Sequence, residues 1–105
     1  MDTTDSFAPQ AKSTRQVATA TASARLALAT NNQVRLVAGG ADCRVEFGDN
    51  TVAVTKPAAD GSAPGSVLLK AGSVEVFSVP ANTQFVAYAT DSGAGTLELT
   101  PGIGI

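Results

Sequence analysis

Hydrophobic and polar positions along this chain alternate with a period of two over most of its length. From Arg15 to Arg25, Val17, Thr19, Thr21 and Ser23 alternate with Ala18, Ala20, Ala22 and Ala24, which predicts a strand with one small-residue face. Gln33 to Ala38 carries Val34, Leu36 and Val37 and is closed by Gly39-Gly40, a second strand. Cys43, Val45 and Phe47 alternate with Arg44 and Glu46, the pattern of a strand with one dry and one wet face. Gly48-Asp49-Asn50 follows, and Val52 and Val54 resume the alternation over Thr51 to Thr55, so a tight antiparallel hairpin is expected there. Residues 56–66 hold two Pro, two Gly and Asp60 without apolar periodicity and predict the longest internal loop.

Beyond that loop, strands are expected at Val67 to Lys70 and Val74 to Val79, joined as a second hairpin by Ala71-Gly72-Ser73. Thr83 to Thr90, with Phe85, Val86 and Tyr88, and Thr96 to Thr100, with Leu97 and Leu99 inward, complete the series. About eight short strands spaced roughly every ten residues, and no amphipathic helix, define the fold class: an all-β antiparallel β-sandwich or jelly roll. Residues 1–14 lack periodicity and are expected to form a flexible, extended N-terminal arm. The β-sandwich domain is expected over 15–100, and 101–105 form an apolar C-terminal tail.

Composition narrows the function more than the fold. A chain of 105 residues suits one domain and leaves no room for a separate catalytic one. It contains no His, which excludes imidazole bases and His-ligated metal, and its single Cys43 excludes both an intrachain disulfide and a Cys-rich zinc site. A net charge of -2 is not the footprint of a nucleic-acid binder. No apolar run approaches the roughly 20 residues needed to cross a bilayer, so no membrane association is expected, and the acidic start predicts no secretory signal. No enzyme activity, cofactor or metal is expected.

Individual residues carry little chemistry. Asp42, Asp49, Asp60 and Asp91 each sit close to Gly or Asn in a turn, where a carboxylate caps backbone, and no calcium-loop spacing links them. Glu46, Glu75 and Glu98 fall on strands, with Arg44 and Lys70 as candidate cross-strand partners. Cys43 is in phase with Val45 and Phe47 and reads as a small buried hydrophobe. With no Trp, one Tyr and four Phe, of which Phe47 and Phe85 are core by phase, an aromatic sugar platform is not expected, nor is another small-molecule ligand. The termini stand out. Ile103 and Ile105 are apolar in a Gly-spaced tail, and Phe7 is apolar in the arm; all three are candidate partner-binding anchors, docking in cis or on a neighbouring chain.

Several stretches carry a resemblance: Gln33-Val34-Arg35-Leu36-Val37, Cys43-Arg44-Val45-Glu46-Phe47-Gly48-Asp49, Gly72-Ser73-Val74-Glu75-Val76 and the ending Thr100-Pro101-Gly102-Ile103-Gly104-Ile105. From about Ala22 onward the chain resembles small structural proteins of tailed bacteriophages, among them jelly-roll capsid decoration or cement proteins. The resemblance implies a non-enzymatic virion protein made in the bacterial host cytoplasm. Such a protein would bind the major capsid protein on the outer capsid surface, stabilise capsomer contacts and act as a homo-oligomer. A tail or fibre module for host-surface or carbohydrate binding, or a head-tail connector component, is the alternative.

Overall fold

A computed structural model describes residues 7–28, 33–80 and 83–104. Among these residues there is no helix. Nine strands run in chain order: β1 (Phe7–Pro9), β2 (Arg15–Thr19), β3 (Ala24–Ala27), β4 (Gln33–Gly39), β5 (Cys43–Gly48), β6 (Val67–Leu69), β7 (Val74–Ser78), β8 (Phe85–Thr90) and β9 (Gly95–Gly104). All pairings are antiparallel. One sheet has the spatial order β2-β9-β4-β7, with β1 continuing the line of β2 along the same side of β9, and the other has the order β3-β8-β5-β6. Consecutive strands from β2 onward change sheet at every connection except β5 to β6. This interleaving of the eight strands β2 to β9 in two sheets, with β1 added to the first, is the double Greek key of a jelly roll.

The core lies where the inward rows of the two sheets meet. Val34, Leu36 and Ala38 of β4 and Leu97 and Leu99 of β9 face Cys43 and Val45 of β5, Leu69 of β6, and Val86 and Tyr88 of β8, all buried. Register enforces this: Leu36 is opposite Leu99 and Ala38 opposite Leu97, so one face of the β4/β9 pair is apolar throughout. Phe47 of β5 and Phe77 of β7 are half-buried and close one flank across the sheets, their ring centroids 5.7 Å apart and tilted by 52°.

Four expectations change. The alternation over 15–25 is two strands in different sheets, β2 and β3, with a corner at 20–23; the Thr/Ala pattern is the same on both sides of the bend, so period alone conceals it. Thr51 to Thr55 forms no strand, because both edges of β5 are already taken, by β6 and by β8. The segments at Val67 and Val74 are not a hairpin: β6 and β7 are in opposite sheets, since Leu69 and Phe77 reach the interior from opposite sides. The described parts of the arm and the tail, 7–9 and 101–104, are part of the sheet. Phe7 pairs with Gly104 and Pro9 with Gly102, and Gln10 N donates to Pro101 O at 2.9 Å, so residues 7–14 lie on the domain and 101–104 extend β9.

Two close approaches of backbone fix the geometry. At the β4–β5 corner, Gly40 has a φ of +78° and lies against Gly95, where an added Cβ would stand 2.3 Å from the Gly39 carbonyl oxygen. The second lies at the end of the long loop. Gly65 packs so tightly on Pro57 and Thr55 that a Cβ would stand 2.3 Å from the Pro57 nitrogen. Gly95→Ala therefore forces backbone apart and is expected to cost about 2–3 kcal/mol, while Ala94→Ser, at an exposed neighbour, changes stability by less than about 0.5 kcal/mol. Chemical denaturation of the two variants checks this, and equal midpoints would contradict it.

Candidate functional site

The polar residues of β5 form an anchor on the outer face of the second sheet. Arg44 points away from the core and holds Asp91 through two bonds, from Nε at 2.9 Å and from Nη2 at 3.0 Å, while Nη1 donates to Ser66 O at 3.0 Å. Ser66 is buried. It donates from Oγ to Glu46 Oε1 at 2.8 Å and accepts from Thr55 N at 3.0 Å, and its own amide donates to Thr55 O at 2.7 Å. Arg44 and Glu46 thus hold Ser66, the last residue of the loop over 49–66, to the sheet, and Ser66 in turn holds Thr55. Arg44 and Lys70, the candidate cross-strand partners of the strand glutamates, pair instead with the turn aspartates Asp91 and Asp42.

The four turn aspartates divide in two. Asp49 accepts from the Thr51 amide and hydroxyl, and Asp60 from the Ser62 amide, as local caps. Asp42 and Asp91 instead join separate loops: Asp42 accepts from Ala71 N at 2.8 Å and pairs with Lys70 at 3.2 Å, and Asp91 pairs with Arg44. Each carboxyl is held below its ordinary pKa. The main cause is the Ala71 amide for Asp42, the Thr51 hydroxyl for Asp49, the Ser62 hydroxyl for Asp60 and the Arg44 guanidinium for Asp91. Each of these four aspartates has a structural donor, and no group of three acids or cysteines among the described residues gathers as a metal site.

Cys43 is fully buried and burial pushes its thiol pKa up, against a smaller opposing pull from the Ala89 backbone. It is a core residue, as its phase implies, and has no neighbouring base to activate it. Of the three candidate anchors, Phe7 and Ile103 have their backbone in the β1–β9 ladder, and Ile105 lies outside the described residues.

Two surface features remain. On one flank, edge strands β6 and β7 expose Val67, Val74 and Val76 at 51%, 49% and 44%. Val74 and Val76 stand on the outer face of their sheet, Val74 directly opposite Val37 of β4. On the other flank, the sheets part between β2 and β3 and leave a cleft of about 570 Å³. Sequence reasoning missed it, since its lining comes from the 10–15 turn, β3, β4 and β9, which no local pattern connects. No protein family, curated protein or solved structure matches the chain.

Two outcomes follow from these environments. Because the folded-state pKa values of the four aspartates lie below their unfolded values, their contribution is complete above the unfolded carboxylate pKa of about 4 and is lost as pH falls through the folded ones. The melting temperature should hold from pH 7 to about 5 and drop below pH 4, with a shallower drop in Asp91→Asn. Cys43 should resist a thiol reagent in the native protein and react only at the rate of unfolding; fast native labelling would contradict its burial.

Proposed function

We propose that this chain is a non-enzymatic virion structural protein: a capsid decoration protein that binds the outer surface of a bacteriophage capsid, contacts the major capsid protein and stabilises capsomer boundaries. The observation that carries the reading is the valine-bearing flank of β6 and β7. An edge strand with unpaired backbone and outward apolar side chains is a surface suited to a partner, and a solvent-facing flank usually carries charge or Pro instead. Supporting it are a compact jelly roll whose turn aspartates, Asp42, Asp49, Asp60 and Asp91, are engaged structurally and the resemblance of its strand and turn segments to small phage structural proteins. On a symmetric lattice, modest contacts repeated many times give strong retention without a large interface per copy. The β1–β9 end, where the backbone of Phe7 and Ile103 lies at the opposite edge of the same sheet, offers a second anchoring region.

Quantitative mass spectrometry of purified virions of the encoding phage tests the reading through copy number relative to the major capsid protein. A ratio near one supports lattice decoration. A ratio of a few copies per virion favours a connector, tail or fibre component instead, and absence from virions overturns the proposal. In co-sedimentation with purified capsids, Val74→Glu/Val76→Glu should bind about tenfold more weakly or worse while keeping the wild-type melting temperature; undiminished binding would place the contact elsewhere.

A further inference from the structure

The cleft between β2 and β3 exists because the inward row of β3 is incompletely covered. Leu26 is opposite the buried Val86, so its side chain belongs to the core-facing row, yet Leu26 and the following Leu28 are only half-buried. The facing sheet contributes Val34 and Leu99, both fully buried, as the floor. These four side chains are aliphatic, and no aromatic ring is among the described residues lining the cleft, so it offers no stacking surface for a nucleobase or a sugar.

The rim has the opposite character. Lys12 and Arg15 are both exposed there, and neither has a carboxylate within ion-pair distance among the described residues. The hydroxyls of this turn are already used: Ser13 Oγ donates to Gln10 O at 2.5 Å, and the Thr14 and Thr100 hydroxyls bond each other at 2.9 Å. The two cations, with the side-chain amide of Gln10 beside them, therefore remain as the rim donors open to a ligand. The turn is built to a fixed shape, since Lys12 adopts a φ of 59°, the left-handed conformation that only glycine takes freely. Among the described residues no acid lines the cleft.

An aliphatic floor beneath paired cations, in a volume within the range of small-molecule sites, selects an amphipathic anion. We propose that this cleft binds a medium-chain aliphatic carboxylate, with the hydrocarbon on Leu26, Leu28, Val34 and Leu99 and the carboxylate held by Lys12 and Arg15. The site is independent of the valine flank and of the virion reading.

Methyl-detected NMR titration of the full chain with octanoate tests it, with octanol and acetate as the head-group and tail controls. Octanoate should shift the methyl signals of Leu26, Leu28, Val34 and Leu99 saturably, with octanol and acetate each bound about tenfold or more weakly. Lys12→Gln/Arg15→Gln replaces two exposed side chains, so it should fold as the wild type does and bring octanoate down to the affinity of octanol. Raising the salt concentration should weaken octanoate and leave octanol unchanged. Absence of saturable shifts at these four residues overturns the site, and equal affinity for octanoate and octanol, or for octanoate in the double variant, overturns the anion assignment.

Discussion

The structure depends on hydrogen bonding along both sides of β9. This ten-residue strand takes β4 on one side over seven paired positions and, on the other, β2 at its first half and β1 at its second. The strands β1 and β2 therefore pair with the last strand of the chain, and the inward face of β4 is closed only when Leu97 and Leu99 arrive opposite Ala38 and Leu36. Such long-range pairing is costly in chain entropy before any contact repays it, so a fold of this kind is formed slowly and cooperatively.

Changing sheet at nearly every connection imposes a second demand, that the corners be tight. The molecule meets it by removing side chains where backbones cross, at Gly40 and Gly95, and by tying exposed loops to one another with carboxylates. Asp42 links the β4–β5 corner to the β6–β7 corner, and Asp91 links the β8–β9 corner to β5. Charge in this protein therefore acts at the ends of the sandwich, on connections, and the interior is left to aliphatic packing. This also explains how a chain with few charged residues has most of its acids engaged.

How much of this was legible in the sequence follows from what alternation encodes. It specifies which side chains of a strand face inward, and Cys43, Val45, Leu97 and Leu99 lie where their phase puts them. It does not specify which sheet a strand joins, so β6 and β7 read as a hairpin though they belong to opposite sheets. It also fails where side chains are uniformly small: one Thr/Ala run contains the end of β2, a corner and the start of β3. The Val52 and Val54 alternation is real, and both residues are half-buried, but a strand also needs a free edge to pair with and β5 has none. The cleft was hidden for a further reason. Its residues are ordinary one by one, and only the folded arrangement sets Lys12 and Arg15 over Leu26 and Leu99.

The anchor built by Ser66 has a mechanical consequence. With the Thr55 amide and carbonyl, Arg44 and Glu46 all converging on that one residue, the loop is clamped at its base, and the ten residues from Lys56 to Gly65 hang beyond the clamp. Strain introduced into that span stops at Ser66 and does not reach the register of β5 or β6. The tip over 58–64, beyond the tight approach of Gly65 to Pro57, is thereby decoupled from the sandwich, a place where length and composition can vary, or a foreign peptide can be carried, while the two sheets keep their pairing.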